Sequence, residues 1–199
     1  PETPARDVVV YTVIHQPRRL RLPALPIPRG APAPEMERAL FDEALNEKYF
    51  RRVLDSCYRP AVREFGRIVD EGFKFGLALS LSFVEQALRW GGGLLDELRA
   101  LIENDHVEPI AVEPTHSFLL LFDLRRFARR MSYAADRLED LFGVRPVVAD
   151  TTELMMSDPI YHALQSAGFS GGFMDGRPWV LGSRRPTRAT TTTPSSSPG

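Results

Sequence analysis

An α/β fold with about five parallel strands and helical crossovers is predicted by two features of the sequence. Short apolar runs, the first rich in β-branched residues, alternate along the chain with stretches whose apolar residues recur at helical spacing. Such alternation implies parallel strands joined by right-handed helical crossovers. Five strands are too few to close an α/β barrel, so the pattern fits either an open sheet or a barrel cut before closure.

The first run, residues 8–14, is nearly continuous in its apolarity, as expected of a strand buried on both faces. It ends at His15. Residues 17–34 combine many prolines with Arg18, Arg19, Arg21 and Arg29, which predicts a long irregular surface segment, a feature often tied to function. Leu40, Phe41, Ala44 and Leu45 set a helix within 35–56, and Pro60 begins another that Gly72 closes. Residues 73–81 read as strand two, 82–89 as a helix begun by a serine cap, and 94–103 as a helix after the Gly91 to Gly93 hinge.

Strand three, 107–112, contains Pro109, which a fully paired central strand tolerates poorly. A long amphipathic helix covers 124–142 and stops at Gly143; 147–152 is strand four, 159–167 a helix and 171–174 strand five. From about Arg184 the composition changes to Thr, Ser, Pro and Arg, which cannot bury a core. The expected organisation is therefore a folded part over 1–183 and a disordered tail over 184–199.

The charge balance, 25 basic against 26 acidic side chains, argues against a nucleic-acid binder, whose phosphate contacts need a basic surplus. Cys57 is the one cysteine, so an intrachain disulfide is excluded and a cytoplasmic location is the default. The apolar runs are too short to span a membrane. The glycines at 91–93 lack nucleotide-loop spacing, and the four histidines form no HxxxH or HExxH pair, so neither a nucleotide cofactor nor a metal is expected.

In parallel α/β folds the chemistry collects at the carboxyl ends of the strands. The residues expected there are His15 and Gln16, Ser80 and Ser82, Glu113 and His116, Glu153, and Asp175. Two histidines among several carboxylates suit acid/base or carboxylate-nucleophile chemistry on a sugar. Taken singly, the histidines also suit loop hydrogen bonding, and Glu153 suits a helix-start carboxylate. The arginines at 125, 126, 129 and 130 read as a solvated helix face, and Trp90 and Trp179 as core or sugar-stacking residues.

The segment VVVYTVIHQPRRL (8–20) resembles the first conserved region of family 57 glycoside hydrolases, whose hallmark is a strand ending in HQP. The likeness continues through FDEALNEKYF (41–50), CYRP (57–60), FKFGLALSLSFVEQ (73–86), HVEPIAVEPTHSF (106–118) and the stretch 142–176. It implies an incomplete barrel of seven β/α units, truncated here before closure, acting on an α-glucan or maltooligosaccharide with retention, as hydrolase or 4-α-glucanotransferase. By the resemblance Glu153, in the Thr152, Glu153, Leu154 segment, is the nucleophile, and His15, Glu108 and His116 bind substrate.

The resemblance also implies an acid/base aspartate on a later strand, with no counterpart by motif here; Asp175 is not it. Where many relatives read FRNTEL, this chain has Ala149, Asp150 and Thr151 before its TEL. Asp150 in place of an arginine reverses a charge beside the nucleophile, which leaves a non-catalytic glucan-binding homologue as the alternative. Asp105 and Leu81 stand where the family usually has glycines.

Overall fold

The computed structural model describes residues 8–177; the tail over 184–199 and Trp179 lie outside them. Five parallel strands form one sheet in sequence order, β1 (Tyr11–Ile14), β2 (Phe75–Leu79), β3 (Val107–Val112), β4 (Val148–Asp150) and β5 (Gly171–Gly172). Seven helices are described: α1 (Ala33–Leu40), α2 (Glu43–Val53), α3 (Arg59–Asp70), α4 (Leu81–Trp90), α5 (Leu94–Ile102), α6 (Leu124–Phe142) and α7 (Asp158–Ser166).

Most boundaries follow from local chemistry. Asp123 accepts from the Arg126 amide to start α6, and Gly143, at φ 76°, takes the left-handed conformation that ends it. The predicted helix over 35–56 is instead two. Phe41 leaves the helical region and Asp42 caps α2 through the Leu45 amide; a single π-turn, Leu54–Tyr58, then carries the chain directly into α3. Pro109 does sit in the central strand, where pairing with β4 begins only at Ile110, so its missing N–H falls where β4 offers no partner.

The segment between β1 and α1 is anchored although it is irregular. Leu20 bridges Phe41, Arg19 N–H donates to Asn46 Oδ1, and Arg18 pairs with Glu37 and Glu43 while lying over the Phe41 ring.

Alternation along the strands sorts the core into two faces. Ile14, Phe75, Leu77, Leu79 and Val107 pack outward with α2 to α6, including Phe50, Phe83 and Leu98, and Trp90 packs against this cluster as a core side chain. Ala111 and Ala149 pack outward with Phe127, Met131 and Leu164 of α6 and α7. The opposite face holds Ala78, Ile110 and Val112, with Tyr11, Val13, Val148 and Phe173 packed against them.

That inner face is concave. Four steps of a flat sheet would separate β1 from β5 by about 19 Å, yet the Tyr11 and Phe173 rings stack with centroids 4.1 Å apart. Gly76 permits the curl on the inner face, since a Cβ there would stand 2.3 Å from Ile110 Cδ1. Among the described residues β1 and β5 share no ladder, so the sheet is curved and unclosed.

Candidate active site

Because the inner-face positions are Tyr11 and Val13 on β1, Ala78 on β2 and Val148 on β4, the next inward positions are His15, Ser80 and Asp150. All three lie at the carboxyl ends of their strands, around the mouth of the concavity. His15 Nδ1 is 2.9 Å from Ser80 Oγ, which also accepts from the Phe83 amide to cap α4. With Oγ already accepting, the hydroxyl proton is available to Nδ1, which favours the neutral ring with its proton on Nε2.

Gln16 faces the other way and is buried. Its carbonyl accepts from Ser82 Oγ and Gln86 Nε2, and its Oε1 accepts from the Tyr58 hydroxyl at 2.9 Å. Burial, with a smaller contribution from Cys57, pushes the Tyr58 phenol up to about 12, so it remains a donor. The HQP segment thus splits its work: Gln16 fixes the end of β1 to the helices, and His15 is presented to the mouth.

His116 comes to His15 from the loop after β3, with ring centroids 5.2 Å apart. It holds a left-handed backbone at φ 56°, an uncommon state for a histidine that the loop must enforce. Glu113, fully buried, does so. One of its oxygens accepts from the Thr115 and Ser117 amides at 2.9 and 2.7 Å, and the other pairs with Arg130 of α6. Burial pushes the Glu113 acid up, but the hydrogen bonds from Ser117, Arg130 and Thr115 outweigh it and its pKa is lowered. Arg130 is therefore no part of a merely solvated arginine face.

Burial first, then the neighbouring His116, lowers the His15 pKa, against an opposing pull from Glu113. His15 is thus a neutral ring at physiological pH, suited to hydrogen bonding with a hydroxyl.

Glu153 follows β4 in a short 3-10 turn, Thr152–Leu154, and is exposed. It too is left-handed, φ 57°, as is Leu154 at φ 55°. Thr152 Oγ1 donates to Ser117 O at 2.8 Å, tying this turn to the loop of His116, and Thr151 Oγ1 donates to Met155 O. Non-glycine residues at positive φ cost of order 1–3 kcal/mol each and persist where surrounding contacts impose them. Two of the three here are His116 and Glu153.

Glu108 does not join this group. It is the second residue of β3, exposed, and lies on the opposite end of the sheet, five residues before Glu113. At roughly 3.3 Å per residue, that is about 16 Å along the strand. Asp175, partly buried, is paired with Arg177.

Sequence reasoning treated Asp150 only as a charge reversal, yet it is part of the mouth. It is buried, its Oδ1 has no hydrogen-bond partner, and burial raises its pKa to about 6 against the pull of His116. The signal for its inward direction was present in the alternation with Val148.

Among the described residues no group of three or more His, Cys, Asp or Glu is arranged to hold a metal ion, and no helix is long and apolar enough to cross a membrane. The depressions lined by Ile68 to Phe73 and by Arg125, Arg129 and Ser166 lie away from this mouth.

Comparison with known proteins matches the chain to a family. The chain is 31% identical over 147 residues to a Methanocaldococcus jannaschii protein named "Putative alpha-amylase", a match covering 73% of this chain and 32% of that protein. The chain thus spans about a third of that relative's length. An alpha-amylase from Thermotoga maritima shares the fold with a TM-score of 0.66 at 12% identity, over 90% of this chain and 42% of that one. A 4-alpha-glucanotransferase from Thermococcus litoralis does so with a TM-score of 0.57 at 19% identity, over 66% and 21%. The model of Glycosyl hydrolase family 57 matches residues 9–195, and with that span the chain belongs to Glycosyl hydrolase family 57.

Proposed function

We propose that this chain supplies the nucleophile half of a retaining enzyme acting on α-glucans, a hydrolase or 4-α-glucanotransferase. Glu153 is its nucleophile, and His15 and His116 bind the sugar. The observation that carries this reading is the backbone of Glu153. A glutamate in a left-handed turn at the carboxyl end of β4 is held there by Thr152 bound to the loop of His116. That loop in turn seats His116 against His15.

In this reading the Glu153 carboxylate attacks the anomeric carbon as the glycosidic bond breaks, and a second carboxyl group, about 5–5.5 Å away, protonates the leaving oxygen. In the family pattern that second group lies on a later strand, and no residue of this chain matches it by motif. His15 Nε2–H and His116 orient sugar hydroxyls at the mouth. The same reading takes the charge balance and lone Cys57 to mean a cytoplasmic protein that binds neither nucleic acid nor membrane.

An activated α-glucosyl fluoride needs little protonation of its leaving group, so it tests the nucleophile without the acid. Intact-protein mass spectrometry is expected to find a glycosyl adduct on the wild-type chain and none on Glu153→Ala. A folded wild-type chain that forms no adduct, or a variant that forms the same one, would overturn the assignment. The charge reversal at Asp150 favours a second reading, a glucan-binding homologue without turnover, which predicts sugar binding with no adduct.

A further inference from the structure

Four buried side-chain atoms lack a hydrogen-bond partner among the described residues: Gln16 Nε2, Gln86 Oε1, Arg21 Nε and Asp150 Oδ1. The first two are a donor and an acceptor on residues already bonded to each other through Gln86 Nε2 and Gln16 O. Arg21 belongs to the anchored segment after β1, where its Nη2 already reaches the Phe41 carbonyl. Asp150 is different. Its side chain is directed into the concavity by the alternation of β4, and only 5% of the residue is exposed.

A carboxylate buried without a donor is costly, and natural folds rarely keep one unless something supplies the missing hydrogen bond. The groups around it are few. Tyr11 faces it from β1, and its phenol is raised by burial and then by the Asp150 charge. His116 faces it from the loop after β3. His15 ends β1 beside His116, Glu113 is fully engaged by Arg130 and two amides, Glu153 follows three residues later, and Asp175 is held by Arg177. Among the charged groups facing Asp150, none donates to Oδ1. Asp150 therefore keeps a buried, unpaired acceptor beside His116.

We propose that Asp150 is a specificity-determining residue of this mouth, accepting hydrogen bonds through Oδ1, as a carboxylate, from hydroxyl groups of a neutral sugar. The inference rests on the α-glucan reading above and deepens it. A charged acceptor makes bonds roughly twice as strong as a neutral one, so the sugar binds the ionised form better. Since burial holds the free acid at about 6, binding must pull that proton off. Sugar binding and proton release are thereby linked in the range just below neutrality.

The test is calorimetric titration of the full chain with maltotriose between about pH 4.5 and 8, in buffers of different ionisation enthalpy. Wild-type affinity is expected to fall about tenfold as the pH drops across that range, with part of a proton released on binding near pH 6. Asp150→Asn is expected to bind weakly, with no proton release and little pH dependence, while Asp150→Glu restores the proton release. An Asp150→Asn chain that keeps wild-type affinity and the same proton release would overturn the inference and assign the effect to a histidine or Glu153. Absence of binding by the wild type at every pH would instead overturn the α-glucan reading itself.

Discussion

Tyr11 of the first strand stacks on Phe173, just after the fifth, with ring planes 8° apart and centroids 4.1 Å apart. Three strands separate them in the sheet, so the pair measures its curvature and packs in the concavity beneath the mouth. Both rings are only half-buried, which limits what each can contribute. Phe173→Ala is expected to destabilise the fold by about 1–3 kcal/mol in urea denaturation. A double-mutant cycle with Tyr11→Ala should give a coupling of about 0.5–1.5 kcal/mol. Additive effects would mean that the contact does not hold the curl.

Asp150 makes a pH-dependent contribution of a definite sign. Its folded pKa of about 6 lies above the ordinary 3.8, so the folded chain binds the proton more tightly than the unfolded one. The favourable contribution is fully present below about pH 4 and is lost as the pH rises through about 6. Asp150→Asn should therefore stabilise the chain at about pH 8, by up to about 3 kcal/mol, and change little near pH 4. Equal effects at both pH values would show that burial does not perturb this acid.

Glu113 carries the opposite sign. Its pKa is lowered by hydrogen bonds that outweigh burial, so its contribution is present above the ordinary carboxylate range and is lost as the pH falls through its folded value. Glu113→Ala leaves the Thr115 and Ser117 amides and Arg130 without their acceptor, a loss of about 2–4 kcal/mol. It should also release the His116 backbone from φ 56°, which weaker sugar binding would report.

Glu153 holds its position at the expense of stability. Replacing it with glycine removes the steric penalty of the left-handed backbone, worth roughly 1–2 kcal/mol, less the extra entropy that glycine loses on folding. Glu153→Gly should thus be about 0.5–1 kcal/mol more stable than Glu153→Ala, while neither forms an adduct. Stability that ranks alanine above glycine would mean that this turn relaxes in solution.

The element order was legible because strand and helix periods are local properties. The amphipathic stretch over 124–142 stopped at Gly143, and the helix spans that range. The break at Phe41 was not legible, because Leu40, Phe41, Ala44 and Leu45 keep helical spacing across it. What breaks the helix is the Asp42 cap and the pairing of Leu20 with Phe41, a contact from twenty-one residues away.

The candidate site divides along the same line. His15, His116 and Glu153 were legible as residues closing strands, since strand direction alone sends them to one end. That rule also separates Glu108, which stands at the start of its strand. Which of these groups touch, and what each carboxylate does, depended on long-range packing. Glu113 and Arg130 are seventeen residues apart, and only the fit of α6 against β3 joins them. The sequence determined the α/β alternation and the strand-end residues, which are written in local spacing, and the family, which its conserved segments carry. The tertiary structure decided the curl that brings Tyr11 to Phe173, the tie from Thr152 to the His116 loop, and the burial of Asp150 without a donor. These arise from packing and desolvation, which a one-dimensional pattern does not contain.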